Sequence, residues 1–228
     1  MPKTARRPLL NPPDLGKILR KGGVNRARRD IIETMNAAGD RFLTEVLHIA
    51  ILIALQTGKV TVKLDHLKAA CAILGIHSAV GFNPTAQITP SLVTGKAYPR
   101  RGKISPETGE KKTRKFKQGT VTAREVTFLQ RKDNLVFKKL TFRKFCTALA
   151  RDSSVFSFQA YPELDLDTLR FSSDISVVLQ VICERYLISL ARCAAGLAKA
   201  SGQKTVNTSH INSTISIVRE CGAFAGFV

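Results

Sequence analysis

The chain has 228 residues, 44% of them apolar, enough for one or two domains with a real core. Its formal net charge is +19 at pH 7. That excess points to a polyanion partner, nucleic acid before an anionic membrane surface, and argues against a surface made basic for solubility alone. The longest apolar run, Val46 to Leu55, is broken by His48 and far too short to cross a bilayer, so no membrane partner is expected.

In chain order, residues 1–13 are basic and Pro-rich and predict a mobile tail. Leu15 to Lys21 predicts a short helix that Gly22-Gly23 ends. Residues 24–29 then lead into a long helix over 30–57, with a stripe of Ile31, Met35, Ala38, Phe42, Val46, Ile49 and Ile53 at steps of three and four. Asp30 and Glu33 predict a capping box, Gly39 costs about 1 kcal/mol against Ala, and Gly58 stops the helix. Val60-Thr61-Val62 is a β-prone bridge, and Lys63 to Leu74 predicts a helix with Leu64, Leu67, Cys71 and Leu74 on one side. Residues 84–113 are a basic linker rich in Gly, Pro, Lys and Arg.

Beyond the linker, Thr120 to Arg131 predicts an added helix and Lys138 to Arg151 a short one, with Phe142, Phe145 and Leu149 inward. A second long helix follows over 169–201, with a stripe of Phe171, Ile175, Val178, Ile182, Tyr186, Leu190, Cys193 and Leu197 and a cap from Ser172 or Ser173. Thr208 or Ser209 caps a last helix ending near Glu220, and a small apolar tail follows. Each long helix has too much apolar face to cover alone. The second half repeats the first: Arg26 to Arg170 is 144 residues, and Lys59 to Lys204 is 145. The unit is short helix, basic loop, long helix, basic loop, short helix. Residues 153–167 break the repeat as an insertion in the second copy's first loop.

Charge follows the loops and linker. Residues 1–30 hold nine Lys and Arg against Asp14 and Asp30, and residues 96–117 hold nine against Glu107 and Glu110, a net +7 in each block. The five Cys show no Cys-x-x-Cys spacing and read as reduced, mostly buried thiols of an intracellular protein. No apolar signal core follows Met1-Pro2-Lys3-Thr4-Ala5-Arg6-Arg7.

Two stretches resemble two core histones fused head to tail. Leu19-Arg20-Lys21-Gly22-Gly23-Val24-Asn25-Arg26 and Gly81-Phe82 make residues 14–83 similar to histone four. Lys117-Gln118-Gly119-Thr120-Val121-Thr122-Ala123-Arg124-Glu125, Lys138 to Lys144, Arg170-Phe171-Ser172-Ser173 and Gln180 to Leu187 make residues 114–228 similar to histone three. The order resembles the histone doublets of large DNA viruses. The resemblance implies an all-α protein in which two histone folds pair intramolecularly, long helix across long helix. A linker of this length can span a small domain, and fusion raises the effective concentration of the pair.

The resemblance also implies the DNA contacts. Arg26 and Arg170 would enter the minor groove from the first loops, flanked by Arg28 and Arg29. Lys59 with Val60, and Lys204 with Thr205, would meet phosphate from the second loops. Lys17 and Arg20 lie on the first short helix, and Lys138, Lys139 and Lys144 on its counterpart. Lys115, Phe116, Lys117, Thr120 and Arg124 match the segment where DNA enters and leaves. Leu197, Ala200 and His210 fall where histone three joins a second copy of itself, so a tetramer-like particle is expected, with a more apolar seam. The other expected partner is a complementary doublet or pair of the remaining core histone types. A chromatin-like particle in a viral factory, a virion or a host nucleus is the expected location. The short, Lys-poor tail departs from histone tails, and the insertion, with its aromatic and acidic content, suggests a protein contact.

No metal or cofactor site is read from the sequence: His48, His66, His77 and His210 lack paired ligand spacing, and Gly58-Lys59 lacks the rest of a phosphate-binding loop. An enzyme is not expected. Sequence-indifferent DNA packaging is the leading reading. A histone-fold transcription factor subunit would instead hold a chosen site against competitor DNA, and an RNA binder would use aromatic stacking motifs absent here.

Overall fold

The computed structural model describes residues 8–76, 124, 135–152 and 168–220. Within them the protein is all-α, with six helices and two short strands: α1 (Pro12–Lys21), α2 (Ile31–Gln56), β1 (Thr61–Val62), α3 (Leu64–Ile73), α4 (Lys139–Ala150), β2 (Arg170–Phe171), α5 (Ser173–Ala200) and α6 (Thr208–Glu220). Arg124 is helical and exposed. The rest of the helix expected over 120–131, the linker at 84–113 and the insertion at 153–167 lie outside the described residues.

The two long helices cover each other. α2 packs on α5, and each also meets its own third helix, α3 or α6. The loops set the direction. β1, which follows α2, pairs in parallel with β2, which precedes α5, in the register Thr61–Arg170 and Val62–Phe171. At the other end Ala27, before α2, bridges Val206, after α5. The helices therefore run antiparallel. The offset of 144 residues carries Val62 onto Val206 and Ala27 onto Phe171, so the two loop pairs are copies of each other. Their hydrogen bonds match as well: Ser172 N–H donates to Val62 O at 3.2 Å and Arg28 N–H to Val206 O at 3.1 Å. The same offset carries Phe42 onto Tyr186. These rings stack at 4.4 Å and 7° where the helices cross, on the approximate two-fold axis. Such a stack adds about 0.5–1.5 kcal/mol to the burial of its area. One continuous core runs through both three-helix units.

Both long helices end alike. Gly58 (φ 68°) and Gly202 (φ 70°) take the left-handed conformation that a side chain resists. The next amides close the motif, Lys59 N–H donating to Ala54 O at 3.0 Å and Gln203 N–H to Ala198 O at 2.8 Å. At the 144-residue offset Lys204 therefore corresponds to Val60, one residue from the match with Lys59 read from the sequence.

The apolar stripes hold over the first turns and then drift. Ile31, Met35, Ala38, Phe42 and Val46 are buried, but further along Ala50 and Ala54 replace Ile49 and Ile53 in the core. In α5, Ala194 and Ala198 replace Cys193, which is exposed, and Leu197. Steps of four overrun the 3.6-residue turn, so the buried line turns toward α3 or α6, the elements that cover those ends. At Gly39 the nearest neighbour is the end of the Leu9 side chain, which a larger residue would displace. A Cβ there would stand 2.7 Å from Leu9 Cδ2.

Several local expectations are corrected. Residues 8–13 are not all tail: Leu9 and Leu10 are buried, and α1 starts at Pro12. Asn36 on α2 holds this segment, its Oδ1 accepting from Leu10 N–H at 2.6 Å and its Nδ2 donating to Leu10 O at 3.3 Å. Asp30 is the residue before α2, but its backbone is already helical and its side chain makes no cap. Ser172 precedes α5 without a side-chain cap, its hydroxyl buried and without a hydrogen bond. Thr208 and Ser209 fall inside the first turn of α6. There the ring of His210 reaches back instead, its Nδ1 accepting from Asn207 N–H at 3.1 Å. His66 does the same for Lys63 N–H at 3.2 Å at the start of α3. The two rings are again 144 residues apart.

Candidate nucleic-acid interface

The antiparallel crossing gathers the basic loops at two ends of the molecule. At one end, the Ala27–Val206 bridge sets Arg26, Arg28 and Arg29 beside Lys204. All four are exposed, and Arg28 Nε lies 4.0 Å from Asp30 Oδ2. At the other end, the β1–β2 pair sets Lys59 and Val60 beside Arg170, all exposed. Arg170 N–H donates to Val60 O at 3.2 Å, so the backbone that carries Arg170 is fixed by the loop of the other unit. Thr205 is half-buried between Lys204 and the bridging Val206. The ends are separated by the length of α2, 26 residues, roughly 40 Å at about 1.5 Å per residue. That is close to one turn of duplex, about 34–36 Å.

The short helices add charge beside these loops. Lys17 on α1 is exposed and bonded to Asp14 at 3.3 Å, and Arg20 is half-buried. Lys138, just before α4, and Lys139 and Lys144 on it are exposed, while Phe142 and Phe145 face inward. Of the expected entry segment, Lys115, Lys117 and Thr120 lie outside the described residues.

The segment leading into α4 is fixed from beneath. Buried Glu184 accepts from Val136 N–H at 2.7 Å and Phe137 N–H at 3.0 Å, and Gln180 Nε2 donates to Phe137 O at 2.8 Å and to Glu184 Oε1 at 3.0 Å. Burial raises the Glu184 pKa above the usual carboxylate value, against the pull of these donors and of Lys21. Gln180 corresponds to Asn36 and Glu184 to Asp40 at the 144-residue offset, so both long helices tie down the start of a first helix. No residue pattern announces this role, because the partners are backbone groups more than forty residues away.

The residues expected at a self-association seam divide. Ala200 is exposed and Leu197 half-buried on α5. His210 is buried, with Nδ1 engaged by Asn207 and Nε2 3.4 Å from Ser201 Oγ. Its placement is that of a loop brace, as for His66. Among the described residues, no group of three or more His, Cys, Asp or Glu could hold a metal ion, and no helix is long and apolar enough to cross a membrane. Cys71, Cys146 and Cys183 are buried. Burial pushes the Cys71 thiol up to about 12 and the other two well above the ordinary range, which makes them inert at neutral pH.

Residues 164–215, spanning β2, α5 and part of α6, match the family described as histone-like transcription factor (CBF/NF-Y) and archaeal histone. A histone-fold domain therefore forms part of this chain.

Proposed function

We propose that the protein packages duplex DNA as a histone doublet: two histone folds paired within one chain, wrapping DNA without preference for sequence. The observation that carries this reading is the pair of basic loop clusters at the two ends of the crossed helices, spaced by about one duplex turn. Arg26 and Arg170 are the groove-entering residues. Arg28, Arg29, Lys59, Lys204, Thr205 and the backbone at Val60 serve the phosphates beside them, with Lys17, Arg20, Lys138, Lys139 and Lys144 flanking. Lys115, Lys117, Thr120 and Arg124 hold the duplex where it enters and leaves. Two copies join through Leu197 and Ala200, with His210 bracing the adjoining loop, and a complementary doublet completes a chromatin-like particle. A viral factory, a virion or a host nucleus is where such a particle would serve.

Nuclease digestion of the protein reconstituted on random-sequence duplex, with and without a complementary doublet, tests this. A discrete protected fragment, at or below the roughly 146 bp held by a full octamer, is expected. Protection of one chosen sequence would support instead a sequence-specific transcription factor subunit, the other type named in the matched family's description.

A further inference from the structure

The solvent face of α5 carries a line of charge that the loops do not account for. Arg185, Arg192 and Lys199 are all exposed and stand seven residues apart. A seven-residue step drifts by about 20° around a helix, so the three share one face. The line is about 21 Å long at about 1.5 Å per residue. Among the described residues, none of the three makes an ion pair.

The fold itself has no need of these charges. Their counterparts on α2, at the same 144-residue offset, are Arg41, His48 and Leu55. There Arg41 is neutralised by Glu45 at 3.3 Å. Both long helices occupy equivalent places in the crossing, yet among the described residues only α5 shows a basic line without ion-pair partners. The line is also continuous with established basic ground. Lys199 lies in the last turn of α5, which leads directly to Lys204 and the Arg26–Arg29 loop. At Arg192, α1 comes against α5 so closely that a Cβ on Gly22 would meet Arg192 N at 3.2 Å. Arg20 and Lys21 stand in the last turn of α1, immediately before that contact.

The geometry points to a phosphate-binding strip on α5, formed by Arg185, Arg192 and Lys199, that extends the grip on double-stranded DNA from one loop cluster toward the middle of the molecule. This rests on the duplex-binding reading above. Charge complementarity selects the occupant: about 21 Å of duplex carries roughly a dozen phosphates. An acidic protein docking on the strip is the competing occupant. The strip makes the two ends unequal, because the β1–β2 end has no such extension along α2.

The test is the salt dependence of duplex affinity for the full chain, compared with the triple variant R185A/R192A/K199A and the loop variant R26A/R170A. Each lost phosphate contact reduces the slope of log K against log salt by about 0.9. The expected result is a slope shallower by about 2–3 in the triple variant, additive with the loop variant, at unchanged helical content. If the triple variant loses helix, R185Q/R192Q/K199Q is read in its place. A wild-type slope in a folded triple variant, with the loop variant reduced, overturns the strip alone and leaves the acidic-protein occupant. A wild-type protein without salt-dependent duplex binding overturns the packaging reading itself, and the strip with it.

Discussion

Gly22 shows how close the units come and what a single methyl group would cost. Its φ of −72° is ordinary for any residue, so backbone freedom is not the reason for glycine there. A Cβ at that position would stand 2.8 Å from Ala191 Cβ and 3.1 Å from Ile188 O. None of these atoms is the end of a flexible chain, so α1 would have to move off α5. Gly22→Ala is expected to destabilise by about 1–3 kcal/mol, the usual cost of overpacking. Gly196→Ala is the control. It lies within α5, nothing stands within 4 Å of its would-be Cβ, and the better helix former should add up to about 1 kcal/mol. Urea unfolding of both variants checks the pair, and equal signs would contradict the close approach. The sequence marked Gly22 only as a helix stop; the contact behind it joins residues that are far apart in the chain.

At the scale of the element, the starts of the third helices were the least legible part of the fold. Spacing gave each helix and its approximate limits, because periodicity is local. It named Thr208 or Ser209 as the cap of α6, because short polar side chains usually fill that position. The histidine in the first turn was chosen instead. Only a neutral imidazole nitrogen can accept the Lys63 N–H that His66 receives. Burial is the largest influence on His66 and lowers its pKa from 6.5, with Lys59 and Lys63 acting in the same sense and Asp65 opposing. A lowered folded pKa means that the unfolded chain binds the proton more readily. The stabilisation is therefore full above about 6.5 and is lost as the pH falls through the folded value. Thermal melts between pH 7.5 and pH 5 are expected to show a falling midpoint. His66→Gln, whose amide oxygen can accept the same bond without titrating, is expected to fall less steeply. An identical slope in both would remove His66 from the account. The drift of the buried stripes toward Ala50, Ala54, Ala194 and Ala198 was likewise hidden, since alanine is too small to declare a core position in sequence.

At the scale of the whole molecule, the repeat was the most legible feature. An offset of 144 residues, read from Arg26 and Arg170, is the one that relates loop to loop and Phe42 to Tyr186. The arginines at 26, 28, 29 and 170 could be placed in exposed loops from the sequence, because loops carry their charge openly; the Gln180–Glu184 brace and the line on α5 could not, since one uses backbone partners and the other follows from comparing two faces. Because one core runs through both units, neither buries its long helix alone. A protease site placed within 84–113 and cut is expected to leave one cooperative thermal transition, with a midpoint that falls on dilution more steeply than in the intact chain. Two separate transitions would show instead that the units fold independently. The near-symmetry has a genetic consequence. In a dimer of identical chains, a substitution on the axis strikes twice and meets its own copy. Here Phe42 and Tyr186 are separate codons, so a change on one side of the axis meets an unchanged neighbour, and each half can drift on its own.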